Sequence, residues 1–521
     1  MNAANAANDV RDVVVIGAGP TGLALAVGLR QYGVDVVLVE KEAREKREAR
    51  AGVIWQRELE VLDDLGCAER FLAAGLPLRR VEVHAEGRKV GAIDLTATRT
   101  PFPRPLAIEQ DAVERLLGER LVEVGGEVEW STEAVGVRTH EGGAEVDLRS
   151  ADGTQRTVRC AWVVGCEGSR SIVRKSLGIP FEGDKRPNLQ CVQLNAEVEW
   201  KHPYHPDQSF FFLERGASMG VSPRPGGGYR FFCFRTDPDP SQVEPPGVEE
   251  MRALLADTVH DPDVRLVPTD PPWANRARFQ DRFAATLREG RALLAGDSAH
   301  LWAPIGGHGL NTGLRGAHNL AWKLAAVQRG WADEAIVGTY ASEQRITAQK
   351  VMREMQHDVL ELPPTAVTLL GMRTLGPRLL GSTWFPARIR TILSDLTMHH
   401  REGALAEHRA ARGGLRAGDR LPDLPVTVDG EPWRLHDLLS YERWTLLVAP
   451  GADVDGGELG DVLARCAVPV EVFRPKLERG APGRLPRARL VLVRPDRHIG
   501  LIADRADVLD AYLHRWFAAK R

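Results

Sequence analysis

An α/β fold with more than one domain is predicted by three features of the sequence. A glycine-rich turn lies between two β-branched runs near the N-terminus. Apolar and polar residues alternate through the middle, and short apolar runs return near the end. The length agrees: 521 residues exceed one ordinary domain, and a hydrophobic content of 43% can fill two or three cores.

The first element occupies residues 12–40, DVVVIGAGPTGLALAVGLRQYGVDVVLVE. Val13 to Ile16 read as a strand, a helix runs to about Tyr32, Gly33 breaks it, and Val36 to Val39 form a second strand ending at Glu40. This is a βαβ unit of Rossmann type. Gly17 allows the tight turn, Gly19 lets a pyrophosphate approach the backbone, and Gly22 lets helix and strand pack closely. Thr21 stands within the same turn. The helix start offers unpaired N–H groups and a positive dipole end to phosphates. Glu40 lies about 20 residues on, where a carboxylate can hold ribose hydroxyls. The motif does not choose between NAD and FAD.

The second element is CAWVVGCEGSRSIVRKSLGIPFEG, 160–183. A buried strand from Ala161 to Val164 enters a glycine turn carrying Glu167, and a basic helix follows with Arg170, Arg174 and Lys175. Glu167 can receive ribose hydroxyls or cap the helix. Residues 185–285, with SFFFLE and GGYRFFCFR, predict a mainly antiparallel sheet whose apolar side roofs a site. His202 and His205 suggest a metal, but Pro203, Pro206 and the lack of further ligands favour a loop. The stretch GDSAHLWAPIGGHGLNTG, 296–313, sets Asp297 after a glycine. Gly306, Gly307 and Gly309 then keep side chains away from something close to the backbone. Residues 333–400 read as helical, 401–426 as an Arg- and Gly-rich linker, and WTLLVAP and ARLVLVRPDRHIGLIAD as strands.

Several function classes are excluded. A net charge of −3 gives no polycation for nucleic acid. The six Cys form no CxxC pair, so no zinc ribbon or dithiol site is expected, and no metal site. The N-terminus lacks a signal-peptide pattern, and no apolar run approaches the ~18 residues of a membrane span. A cytoplasmic protein with reduced thiols, bound to no membrane, is expected.

Together, the turn at 17–22, the DG motif at 165–174 and the GD motif at 296–297 with its continuation GLNTGLRGAHNLAWKLA, 309–325, resemble one family in the same order. They are similar to class A flavoprotein monooxygenases of the para-hydroxybenzoate hydroxylase type, and most to the bacterial aromatic polyketide hydroxylases. The likeness covers about 10–400 well and continues more weakly to the C-terminus. The sequence departs from the family in Glu167 where Asp is usual, in Gly316-Ala317 where Asp-Ala is usual, and in His308 where Gln or an aromatic is commoner.

The resemblance implies FAD as bound cofactor and NAD(P)H as a transiently docking reductant, with no separate nicotinamide domain. It implies a Rossmann-like FAD-binding domain (1–180 and 286–400, with a helical extension), a substrate-binding sheet domain (181–285) and a thioredoxin-like C-terminal domain (415–521). It implies that Asp297 binds the ribityl chain, that residues 304–311 run beside the isoalloxazine ring, and that the backbone N–H groups of Leu310 and Asn311 face it. The glycines suit a flat ring, and a helix starting near Leu310 favours negative charge on reduced flavin. Arg50 and Gln110 match family positions that contact the cofactor; their bland readings are a solvated charge and a helix cap. The implied reaction is hydroxylation of a small aromatic substrate, phenolic or polyketide, through a flavin C4a-hydroperoxide. His308 and Pro304 are candidate contacts at the reactive face, and Trp55 and Trp302 candidate pocket walls, core packing being the commoner fate of Trp. Arg170 and Arg174 could meet the reductant's phosphates, with solvated helix charge the better expectation. The C-terminal domain has the single Cys466, which excludes dithiol activity; a structural or homodimer-related role is expected. The alternatives are Baeyer–Villiger or epoxidising chemistry on a polyketide, or a flavin-holding protein that sequesters a ligand without turnover.

Overall fold

A computed structural model describes residues 10–43, 52–236, 238–357, 362–410, 414–452 and 456–520. The first sheet is built where the sequence places its β-branched runs. Strand Arg11–Ile16 lies at its centre, parallel to Val36–Val39 on one side and to Gln155–Gly165 on the other. Ala292–Leu294 extends the parallel order beyond Gln155–Gly165, and Val128–Glu129 extends it beyond Val36–Val39. An antiparallel pair, Thr132–His140 and Gly143–Ser150, continues the edge of Gln155–Gly165. Val13, Val14 and Val15 are fully buried, as expected for the central strand of a parallel sheet with both faces covered.

Helix Pro20–Gln31 follows the glycine turn and packs on helix His308–Gln328. The contact is close: a Cβ on Gly28 would stand 2.9 Å from the Ala321 methyl. Two helices far apart in the sequence therefore form one layer beneath the first sheet.

The second sheet has nine strands and is antiparallel apart from one pair. Its long strand Phe181–Glu199 pairs with Tyr229–Thr236 and Ala274–Ala284, and Ala217–Pro223 and Gln208–Glu214 continue outward. Strands Arg80–Ala85 and Arg88–Asp94, far earlier in the chain, add to the edge of Gln208–Glu214. The expectation of one apolar side is corrected by strand Tyr229–Thr236, which is apolar on both. Tyr229, Phe231 and Cys233 pack under helix Val248–Val259, while Phe232 and Phe234 on the opposite face pack toward Trp302 and Met355.

The helical expectation for 333–400 is met by Ala335–Met355, Ala366–Thr374, Gly376–Leu380 and Trp384–Leu393. The C-terminal sheet carries Trp444–Val448 at its centre, parallel to Val470–Phe473 and antiparallel to Leu490–Val493, which pairs with Ile499–Ala503. With helices Gly456–Ala464 and Ala506–Trp516 this is the β-α-β…β-β-α order of a thioredoxin-like domain. The linker expectation for 401–426 is corrected: strand Glu407–Arg409 pairs with Ile499–Ala503, and Asp419, Arg420 and Asp423 are buried. Arg420 there serves an interface rather than solvent. All six cysteines are free thiols. Among the described residues no helix is long and apolar enough to cross a membrane, and no group of His, Cys, Asp or Glu could hold a metal.

Candidate functional site

One cavity of about 1990 Å³ runs between the two sheets. Pockets for a single small molecule occupy about 300–1,000 Å³, so there is room for two ligands end to end. One end is lined by the glycine turn, by Val39 to Ala43 and by Cys166 to Arg170. The far end is a chamber under the second sheet, walled by Phe232, Phe234, Trp273, Phe279 and Trp302. Between them lie Trp55, Gln110, Pro304, Gly307, Gly309 and Leu310.

The glycines of the first turn divide by what surrounds them. Gly17 has φ +102°, and a Cβ there would stand 2.6 Å from the Cys166 carbonyl oxygen; a Cβ on Gly22 would stand 1.9 Å from the Gly17 carbonyl oxygen. Those two are needed by the protein itself. Gly19 lines the cavity with nothing within 4 Å of its Cβ position, so its backbone is open to a ligand. Thr21 fills a notch against Gly296 and Gly313 and reaches the cavity wall. At the end of its strand, Glu40 accepts from the N–H of Ala18 at 2.8 Å and of Glu42 at 3.0 Å. Its carboxylate is thus fixed at the cavity rim with acceptor capacity to spare.

Glu167 lines the same end, but its bonds are to the protein. Oε1 accepts from Ser171 Oγ (2.7 Å) and the Val173 N–H (2.9 Å), and Oε2 from Ser298 Oγ (3.1 Å). The extra methylene of Glu spans from the DG turn to the GD turn, while Asp297 points its exposed side chain to the cavity. Arg170 is exposed at the rim. Arg174 departs from the expectation of a solvated charge: it is buried, donates to the carbonyls of Ser298 (2.9 Å) and Ser169 (2.6 Å), and stacks on Phe181. Gln110 opens helix Gln110–Glu123 and donates to Glu114 at 2.9 Å. Arg50 lies outside the described residues.

At the middle of the cavity, Gly306 and Gly307 both take left-handed backbone (φ +67° and +66°), and helix His308–Gln328 starts immediately after. Gly309 has nothing within 4 Å of its Cβ position and faces the cavity, as does Leu310. The first-turn N–H groups are therefore presented beside open space. Asn311 is fully buried: its Oδ1 accepts from the Trp55 N–H (3.0 Å), and its Nδ2 donates to the carbonyls of Val53 (3.0 Å) and Gly307 (2.8 Å).

His308 does not line the cavity, which departs from the expectation of a contact at the reactive face. The left-handed pair turns its ring behind the wall, where it stacks on Trp55 and its Nδ1 lies 3.2 Å from Asp395 Oδ2. Arg315 donates to both Asp395 (2.9 Å) and Glu58. Burial would raise the Asp395 carboxyl, but His308 and Arg315 outweigh it and hold the group at about 2; burial and the Asp395 charge push Glu58 well up. Glu58 is thus the carboxyl of the pair that takes a proton first.

Three groups were not found from sequence. His300 lines the chamber, stacks on Trp302, and accepts from Gln344 at 3.0 Å; burial and Arg315 push its pKa down to about 3. Its place three residues after Asp297 is the one signal that could have marked it. Arg224 and Arg230 also line the chamber, both bonded to Glu109 at 2.6 Å. They lie more than 100 residues from Glu109 in sequence, and no local pattern connects them.

A cradle of open glycine backbone, a rim carboxylate and two helix starts facing one cavity fit a dinucleotide whose ring reaches Gly309, with an aromatic chamber beyond it. That arrangement defines a flavoprotein acting on a second, aromatic ligand. The chain belongs to the class A FAD-dependent aromatic monooxygenases: the family model described as FAD binding domain matches residues 11–355, and that described as Aromatic-ring hydroxylase, C-terminal matches 415–519. Rifampicin monooxygenase of Rhodococcus hoagii is 30% identical over 97% of this chain and 98% of its own length. Dialkyldecalin synthase of Streptomyces rugosporus is 32% identical over 97% and 98%. Among solved structures, the anhydrotetracycline hydroxylase OxyS from Streptomyces rimosus superposes with a TM-score of 0.75 at 28% identity, covering 98% of this chain and 99% of that one.

Proposed function

We propose that this protein hydroxylates a polycyclic aromatic substrate bearing a phenol or enol, with NAD(P)H and O2 as co-substrates. The observation that carries the reading is the continuity of the cavity. The aromatic chamber opens onto the same bare backbone, Gly307 to Leu310, that the dinucleotide end leads to. Gly17, Gly19 and Thr21 would hold the pyrophosphate, Glu40 the ribose, Gln110 and Asp297 the ribityl chain, and the N–H groups at Gly309 and Leu310 the ring edge. Glu167 would act through Ser298, holding the two turns in register. The chemistry supplied by bound FAD is the passage of two electrons from NAD(P)H to O2, one oxygen atom entering the substrate ring and the other leaving as water.

The protein's own part is placement and exclusion of water. Phe232, Phe234 and Trp302 give the chamber an apolar wall on which a flat substrate can stack. His300, held neutral and already accepting from Gln344, supports Trp302 rather than taking a proton. A second reading follows from the relative named as a dialkyldecalin synthase, a name that describes forming a ring system rather than transferring oxygen.

The test is NADPH and NADH oxidation by the FAD-loaded protein with a panel of phenols and polycyclic quinones, followed by product mass. Accelerated oxidation with gain of one oxygen atom supports oxygen transfer, and that oxygen found as a new ring hydroxyl supports hydroxylation over Baeyer–Villiger or epoxidising chemistry. A product formed without oxygen uptake supports the ring-forming reading, and a tightly bound ligand without turnover supports sequestration.

A further inference from the structure

Two arginines and a glutamate make a charged corner of the chamber. Arg224 sits in the turn between strands Ala217–Pro223 and Tyr229–Thr236, its N–H donating to the Gly228 carbonyl (3.2 Å) and its carbonyl accepting from Gly227 (3.1 Å). Its Nε donates to Glu109 Oε1 at 2.6 Å, and its two terminal nitrogens make no hydrogen bond to any described residue. Arg230, on the following strand, donates from Nη2 to Glu109 Oε2 (2.6 Å) and from Nε to Asn195 Oδ1 (2.9 Å), and lies over the Trp273 ring. Glu109, Arg224, Arg230 and Trp273 all line the cavity.

One carboxylate between two guanidiniums leaves a net positive corner beside the aromatic wall. Glu109 fixes Arg224 through Nε alone, so the fork of terminal nitrogens is held in place and left open. That fork matches two oxygens of a carboxylate or an ionised 1,3-dicarbonyl in both charge and geometry. We propose that Arg224, steered by Glu109, binds an anionic oxygen pair on the substrate, so that the substrate class is an acidic polycyclic aromatic. This rests on the chamber being the substrate site.

The test is binding of anthraquinone-2-carboxylate and anthraquinone-2-carboxamide, two probes of one shape that differ in charge, to the FAD-loaded full chain, read by the flavin difference spectrum. The carboxylate is expected to bind about tenfold or more tightly, as for a hydrogen bond to a charged group. Arg224→Gln should bring the ratio to near one while leaving carboxamide affinity within about twofold, a span well below the tenfold step. Arg224→Lys, which keeps the charge but loses the fork, should fall between. The proposal is overturned if both probes bind the unaltered protein equally, if Arg224→Gln weakens both alike, or if neither binds at millimolar concentration. NADPH oxidation in the same samples separates this from the reaction. A carboxylate preference without stimulated oxidation by any phenol keeps the anion site and sinks the hydroxylase reading; equal binding with stimulated oxidation does the reverse.

Discussion

The hydroxyl of Thr21 occupies the space that a side chain at Gly313 would need: a Cβ there would stand 2.4 Å from Thr21 Oγ1. This single contact locks the first glycine turn to the helix that follows the third motif. Gly313→Ala should push the two helices apart and destabilise the protein by about 1–3 kcal/mol, the usual result of overpacking a core. Gly309→Ala is the informative contrast. Its Cβ meets nothing in the protein, so apoprotein stability should hold or rise by up to about 1 kcal/mol from helix propensity. FAD affinity should fall, because the new methyl enters the cavity. Thermal melting with and without FAD, together with FAD titration, reads both variants. Equal FAD affinity in Gly309→Ala would remove the ring from that backbone.

Trp55 walls the middle of the cavity, and Asp395 is buried behind it. Trp55 Nε1 donates to the Gly306 carbonyl at 2.8 Å. Trp55→Phe should remove this hydrogen bond, at about 0.5–1.5 kcal/mol, and should shift the visible spectrum of bound FAD. Asp395 carries more: it is fully buried in left-handed backbone (φ +56°) and bonds both His308 and Arg315. Asp395→Asn removes one partner of a buried ion pair, which typically costs about 3–5 kcal/mol. A urea midpoint unchanged from the parent would show that Glu58 alone suffices to hold Arg315.

What was legible in the sequence was local. Strand, turn, helix and second strand from Val13 to Glu40 follow from side-chain shape and glycine within one stretch, and the structure gives Val36–Val39 at those bounds. What was not legible depends on partners far away. Helix Gln56–Asp64 has Arg57, Glu58 and Glu60 fully buried, because the C-terminal domain supplies the carbonyl of Asp496 to Arg57 and Arg420 to Glu60, and Arg315 meets Glu58. Strands Arg80–Ala85 and Arg88–Asp94 join a sheet whose other strands begin a hundred residues later, and a period of two does not state a partner. His308 was read toward the cavity. The left-handed geometry of Gly306 and Gly307, which reverses the approach to the helix, has no signature beyond glycine itself.

Acid should weaken the fold through its buried histidines. Burial pushes His300 down to about 3, with Arg315 adding to it, and pushes His400 and His436 well below the ordinary range. Their folded-state pKa values therefore lie below the unfolded value near 6.5. The unfolded chain binds protons that the folded chain refuses, so stability falls as pH drops through about 6.5, and for His300 goes on falling toward 3. Each such histidine contributes a loss of about 1.4 kcal/mol at pH 5.5. Asp395, depressed to about 2, stabilises above its unfolded value near 4 and loses that contribution only as pH falls toward 2, outside this window. Urea unfolding of the apoprotein at pH 7.5 and 5.5 should show the drop, and His300→Gln should shrink it by about 1.4 kcal/mol, the share of that one group. An identical drop in the variant would place the proton uptake elsewhere.

The C-terminal domain is held by charge as well as by packing. Arg420 donates from Nε to Glu60 Oε2 at 2.7 Å and from its terminal nitrogen to Oε1, while Glu60 also accepts from Arg57 (3.0 Å) and Thr100 (2.7 Å). Burial alone would raise the Glu60 carboxyl, but the guanidiniums of Arg420 and Arg57 outweigh it and hold it ionised. Arg420→Met should leave that carboxylate short of a partner at a domain boundary and cost about 3–5 kcal/mol. Because the loss falls on the interface rather than in either core, calorimetry of the holoenzyme should show the C-terminal domain unfolding separately at lower temperature. Pairing it with Glu60→Leu removes the stranded charge, and the double variant should recover most of the loss, since a buried ion pair exchanged for apolar side chains is often neutral. If the double variant is as unstable as Arg420→Met, the interface is held by the shape of these side chains and not by their charge.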